Sequence, residues 1–307
     1  MTISKHVDTF AGRPVRDYEP GKPGPAGCAY RLALDYDDER AFPELLDLFL
    51  TEHGGPGLGL LVVGAWTYNE MLNSAAQPVE ALVAARDRMP NLAALFFGDI
   101  TYDQCEMSWI QHGDVSPLLP AFPKLEVFRL RGTTGLTFGS IRHPNLKSFA
   151  LESGGLAEAV LNEVWAADLP QLEHLELWLG ESNYGGIDAT LTLDPLLSGD
   201  LFPRLRHLGL RNCAIADDVA KAVAASPLLA RLDVLDLSLG NLGDEGAKAL
   251  LASPGIKTLK KLDLHHHFMS DSVAAEFAAL GVPADVGDQK EPYTYGDEMD
   301  RYITVGE

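Results

Sequence analysis

Residues 232–246 read LDVLDLSLGNLGDEG, and residues 259–273 read LKKLDLHHHFMSDSV. Laid one above the other they share a Leu-x-x-Leu-x-Leu frame, and Asp244 falls on Asp271. The frame recurs upstream in LRHLGLRNCAI from Leu205, LEHLELWLG from Leu172, LKSFALESG from Leu146, LEVFRLRG from Leu125 and LAALFFGD from Leu92. Two weaker copies, LGLLVVGAW from Leu58 and AYRLALDYD from Ala29, precede these. Successive starts lie 29, 34, 33, 21, 26, 33, 27 and 27 residues apart. A period of this size marks a solenoid, in which each unit leaves an apolar face that only stacked neighbours can bury.

Within a strand, alternate side chains face opposite sides, so the fourth and sixth positions of the frame point inward together. Positions three, five and seven then face a concave, solvent-facing sheet. Each returning segment must bury an apolar stripe of its own. In DEGAKALLAS after Leu232, Ala247, Leu250 and Leu251 recur at helical spacing. ADDVAKAVAAS, AEAVLNEVWAAD, PVEALVAARDRM and FPELLDLFLTEH predict helices in the same way. The 21-residue step after Leu125 is too short for a helix and predicts an extended return.

LDLSLGNLGDEGAKAL resembles the ribonuclease-inhibitor subtype of leucine-rich repeat over roughly residues 29–282. The resemblance implies an α/β solenoid, a horseshoe or arc of about nine repeats. A parallel sheet would line its concave face, with helices or extended segments on the convex face. LVVGAW, FFGDITYDQCEMSWIQ, LEHLELWLG, RLRHLGLRN and LDLHHH together resemble a family of divergent bacterial leucine-rich-repeat proteins with no assigned activity. That second resemblance implies a gene neighbourhood of radical-SAM and ATP-grasp type enzymes, and hence a modification pathway. The inhibitor pattern places Asn or Cys at the ninth position. Here those positions hold Asp37, Trp66, Ile100, Thr133, Gly154, Gly180, Cys213, Gly240 and His267, and only Cys213 matches. Irregular turns are expected, and no inhibitor function transfers.

The organisation expected is an N-terminal cap or coil over 1–28, a solenoid over 29–282 and an acidic, Tyr-rich cap or tail over 283–307. EPGKPGPAG in the first segment is turn-rich. In the last, DRYITV alternates like a strand and offers docking on a sheet edge as the alternative to a plain tail. The long steps 99–119 and 181–199 predict loops, where binding residues concentrate on rigid scaffolds.

Hydrophobic residues make up 46% of the 307 and charged residues 22%, the balance of a globular protein. With 44 acidic against 24 basic side chains, the net charge of -20 disfavours nucleic acid and anionic lipid alike. Cys28, Cys105 and Cys213 form no Cys-x-x-Cys pair. The first residues lack an apolar signal region, so a reducing cytoplasm is expected.

His265, His266 and His267 invite a metal assignment. Neighbouring strand residues point opposite ways, however, so three in a row do not converge on one ion. His265 is expected on the concave face and His267 in place of a ladder Asn. No nucleophile, zinc-protease or phosphate-loop motif occurs, so no catalytic residue, metal or cofactor is expected. What remains is the concave face, with Phe96, Arg129, Arg131, Glu152, His174, Glu176, Trp178, His207, Arg211, Asp236, Asp263 and His265. A Trp exposed beside an Arg has the composition of a binding hot spot. These residues and the flanking loops predict a non-catalytic scaffold for a protein or peptide partner. The alternatives are an accessory or substrate-presenting subunit of a modification enzyme, with Tyr293, Tyr295 and Tyr302 in its tail, and a metal or small-ligand binder at His265, His267 and Asp263.

Overall fold

In each frame the alternating apolar residues form a short strand, and the segment between frames crosses back before the next strand begins. Such crossovers make neighbouring strands parallel. The computed structural model describes residues 3–22, 27–67, 74–295 and 298–306. It comprises two units, one of residues 3–152 with 166–171 and one of residues 153–165 with 172–306.

The first unit carries β1 (Thr9–Phe10), β2 (Arg13–Asp17), β3 (Ala29–Leu32), β4 (Leu60–Val63), β5 (Ala94–Phe97), β6 (Val127–Arg131) and β7 (Ser148–Glu152). β1 and β2 form an antiparallel hairpin, and β2 through β7 are parallel in chain order. Between them lie α1 (Phe42–His53), α2 (Ala76–Ala84) and the short α3 (Leu118–Ala121). Leu61, Leu95, Phe128 and Phe149, each at the fourth frame position, pair in register and are fully buried. After β6 the chain returns extended, bridging Gln111 to Thr134 and Asp114 to Thr137, as its short step requires.

The second unit carries α4 (Glu158–Trp165), β8 (His174–Gly180), α5 (Asp194–Leu197), β9 (His207–Cys213), α6 (Ala216–Ala225), β10 (Val234–Asp236), α7 (Asp244–Ala252), β11 (Lys261–Asp263), α8 (Asp271–Ala278) and β12 (Ala284–Asp285). Strands β8 through β12 are parallel in order, and Leu175, Leu208, Leu235 and Leu262 form their buried row. A final hairpin pairs β13 (Tyr293–Tyr295) with β14 (Glu298–Asp300).

The 27-residue period is visible in hydrogen bonds as well as in leucines. Asp217 accepts from the Gly243 and Gly246 N–H groups at the start of α7, both at 2.9 Å. One repeat later Asp244 accepts from Ser270 N–H at 2.7 Å, ahead of α8. Asp271 closes the series by accepting from Gln289 Nε2 at 3.0 Å. The first two carboxylates satisfy backbone donors where a helix starts. The backbone repeats too: Asn212, Leu239 and His266 all lie in the left-handed region, with φ of 51°, 67° and 59°. At Gly180, whose φ is 67°, a side chain would run into the Gly154 carbonyl, which explains glycine at this ninth position. Cys213 is buried, which pushes its thiol up to about 12, while its sulfur takes the Ile215 N–H.

One expectation needs correction. The first frame is displaced by two residues, because Tyr30, not Leu32, pairs with Leu61. Tyr30, Leu32 and Leu34 alternate like any strand, and a shift of two keeps every side chain on its face, so periodicity alone cannot place it. In the segment expected as a cap or coil, β2 pairs along β3. At the other end, residues 301–305 are docked. Asn212 donates to Val305 O at 2.6 Å and accepts from Val305 N–H at 2.9 Å. Thr304 N–H donates to Leu239 O at 2.8 Å, and Tyr302 meets His266 edge-on at 5.8 Å. The segment thus runs along the row of left-handed residues, with Ile303 and Val305 buried.

Candidate functional site

The two units present sheet faces of different character. In the first, register places Arg31, Val62, Phe96 and Arg129 side by side across β3 to β6. Arg31 donates to Asp17 at 2.7 Å and to Asp99 at 2.9 Å. Arg131 donates to Asp99 at 3.2 Å, to Glu152 at 2.6 Å and to the Ile100 carbonyl at 2.9 Å. Arg129 also pairs with Glu152. Three carboxylates therefore meet three guanidinium groups. Asp99 and Glu152 have no exposed surface. Burial alone would raise the Asp99 pKa, but His6, Arg131 and Arg31 together hold it below the ordinary range.

Phe96 does not face water, contrary to expectation. The Phe10 ring lies 5.8 Å from it, and the guanidinium groups of Arg129 and Arg131 lie over it at 5.1 and 5.2 Å. Phe10, Val15, Ala29, Val62, Ala94 and Phe96 make a small core on this face, with Val7 packed against it. Of the residues expected to meet a partner, Phe96, Arg131 and Glu152 are thus shut away, and Arg129 keeps part of its surface. Nothing in the sequence marked Asp99, which falls in a turn after β5. The misplaced first frame kept Arg31 on the outward side but one row away from Phe96 and Arg129.

The second unit's face consists of three rows. His174, His207, Val234 and Lys261 form one, and Glu176, Gly209, Asp236, Asp263 and Asp285 the next. Trp178 and Arg211 lead the third. Arg211 folds back over the bare Gly209, where a β-carbon would be in ordinary contact with the Arg211 side chain and 3.2 Å from Glu176 Cγ. From that position Arg211 reaches Glu176 at 3.1 Å, Asp236 at 3.2 Å and Ser238 at 3.0 Å. Its guanidinium also covers the Trp178 ring at 5.2 Å, and Trp178 Nε1 donates to Glu176 at 2.8 Å. Trp178 is consequently only 6% exposed, where an open indole was expected. His174 and His207 stack at 3.9 Å with 13° between their planes. Burial, reinforced by the neighbouring His174, lowers His207 to about 4, so its ring is neutral at pH 7.

The histidine triplet separates into three environments. His265 lies on the face, its Nδ1 2.6 Å from Asp263 Oδ1, and that hydrogen bond raises its pKa. His266 is buried in the left-handed turn, with Nδ1 3.1 Å from the Gly240 carbonyl. His267 is buried, accepts from Met269 N–H at 3.1 Å and reaches the Val286 carbonyl at 2.9 Å. Both its ring nitrogens serve backbone groups, as an Asn side chain would. The paired His265–His267 site is therefore not assembled. Asp263, His265 and Asp285 do bring ligand atoms within 4.8 Å of one another. There the Lys261 ammonium already sits on Asp263 at 2.8 Å.

Among the described residues, no helix is long and apolar enough to cross a membrane. No protein-family model matches the sequence, and no curated protein matches it. Among solved structures, an internalin of Listeria monocytogenes is 19% identical, with a TM-score of 0.40, covering 85% of this chain and 62% of its own. A Bacteroides fragilis protein of known crystal structure superposes with a TM-score of 0.81 over 90% of this chain. It is 32% identical, and the match spans 76% of its own length. With identity at that level over that span, the chain belongs to the family of the Bacteroides fragilis protein.

Proposed function

We propose that the chain is a non-catalytic leucine-rich-repeat scaffold, of the ribonuclease-inhibitor-like subtype with about nine repeats, that binds a protein or peptide partner. The partner sits on the sheet face of the second unit and presents Arg or Lys side chains to it. One observation carries this reading: Glu176, Asp236, Asp263 and Asp285 share a single row across β8 to β12. Strands in a sheet are about 4.8 Å apart, and like charges in register destabilise it. Four carboxylates face the cations of Arg211 and Lys261, with His265 beside them. A negative surplus remains, in a chain whose net charge is -20. The first unit's face, by contrast, pairs Asp17, Asp99 and Glu152 with Arg31, Arg129 and Arg131 and needs no outside cation.

Beside the acidic row, His174 and the neutral His207 offer flat rings on which a guanidinium can stack. Calorimetric titration of the full chain with an Arg-rich decapeptide tests the reading. Ion pairs of this kind contribute about 0.2–1 kcal/mol each, so Asp263→Asn with Asp285→Asn weakens binding roughly two- to thirtyfold. Asp35→Asn with Glu39→Gln, exposed acids of the first unit, leaves it unchanged. Equal losses from both pairs of substitutions would reduce the effect to net charge and remove the site.

A further inference from the structure

Residues 3–10 do more than an end cap requires. β2 already covers the edge of β3. The chain ahead of it nevertheless crosses the first unit's sheet face as far as the turn after β5. Tyr102 N–H donates to Ile3 O at 2.8 Å, and Val7 N–H donates to the Asp99 carboxylate at 3.3 Å. His6 Nδ1 lies 3.5 Å from the same carboxylate. Beneath this segment the face is apolar: Val62, Ala94 and Phe96 are 0%, 3% and 0% exposed. A sheet face left to solvent would carry polar side chains at these positions. Ala11 and Gly12, both left-handed with φ of 45° and 73°, form the turn that folds the segment onto the face.

We propose that this face is a peptide groove which the chain fills with its own residues 3–10. The partner it fits is a segment with two apolar side chains three residues apart and a bend between them, as Val7 and Phe10 have across Asp8. The first of the two supplies a backbone N–H to Asp99. The resident segment is a template for that partner and is held thinly enough to exchange with it. Ser4, Lys5, Asp8 and Thr9 are exposed, so its hold rests on Val7, Phe10, the His6–Asp99 contact and a few backbone bonds. Displacing it opens an apolar floor lined by Val62, Ala94 and Phe96, with Asp99 fixed between Arg31 and Arg131. The groove is independent of the acidic row in the second unit, and either can fail without the other.

The test uses the full chain carrying Val7→Asp and Phe10→Asp, which undocks the segment, and a fluorescein-labelled peptide of residues 2–12 as probe. Anisotropy is expected to show the variant binding the peptide at least about tenfold more tightly than the wild-type chain, whose groove is filled. A peptide bearing the same two Asp substitutions is expected not to bind. A folded variant that ignores the peptide up to about 1 mM, or takes both peptides equally, overturns the proposal. Should the variant not fold, amide exchange in the wild type decides. Exchange at Val7 at least about 100-fold faster than at Phe96 marks a segment that leaves the face while the sheet stays intact. Equal protection overturns it.

Discussion

His112 makes a quantitative prediction about acid stability. It is fully buried against the stacked Trp66 and Phe97 rings, each centred 5.6 Å away. Its Nε2 lies 2.9 Å from the Arg131 carbonyl, so Nε2 carries the proton and Nδ1 is left bare inside the protein. Burial, only partly offset by that hydrogen bond, lowers its pKa from 6.5 to about 4. Between those values the unfolded chain binds a proton at this site and the folded chain does not. Stability therefore falls as the pH drops through the window. Moving from pH 7 to pH 5 costs about 2 kcal/mol at this one residue, approaching about 3 kcal/mol below pH 4. In His112→Phe the Arg131 carbonyl loses its donor, which costs about 1–2 kcal/mol at pH 7, but the site no longer titrates. Urea unfolding of both proteins at pH 7, 6 and 5, followed by circular dichroism, measures the difference. His143, His207 and His266 also have lowered pKa values and titrate equally in both, so the change in slope isolates His112. Parallel lines for wild type and variant would refute the placement of this ring.

Two further substitutions test the chain's ends and its buried charges. Asn212→Ala removes both bonds to Val305 and leaves that backbone unpaired. It should cost about 2 kcal/mol and speed amide exchange over residues 303–305; unchanged protection there would mean the segment is held by other contacts. Glu152→Gln keeps the shape of a fully buried side chain but strips the charge from between Arg129 and Arg131. It should destabilise the first unit by about 3 kcal/mol in the same urea assay, and a loss below about 1 kcal/mol would contradict a closed network.

The strands were legible in the sequence because a leucine at the fourth and sixth positions of a frame can be buried in only one way. From Leu58 onward the frames pair in register across β4 to β7 and across β8 to β11. Where the pattern was only alternation, as at Tyr30, Leu32 and Leu34, the frame slipped by two residues. The separate fates of the three histidines were legible for the same geometric reason. What covers each face was not. Phe96 and Trp178 stand at outward positions, and a frame cannot tell an exposed ring from one beneath another segment or another side chain. The lid on Phe96 comes from Val7 and Phe10, more than 80 residues away and within no motif. The lid on Trp178 is Arg211, one strand over. Charge partnership was equally hidden, since Asp99 lies in a turn and gains its role only when Arg31 and Arg131 converge on it.

The central claim is that the acidic row of the second unit receives a basic partner, and site-resolved cross-linking tests it most directly. A peptide alternating Lys and Arg is bound to the full chain, joined to nearby carboxylates with a carbodiimide, and mapped by mass spectrometry. The prediction is linkage concentrated at Asp285 and Asp263, with Glu176 and Asp236 joining as Arg211 yields to the peptide. Linkage spread over the exposed acids of both units, or confined to residues outside this row, would contradict it.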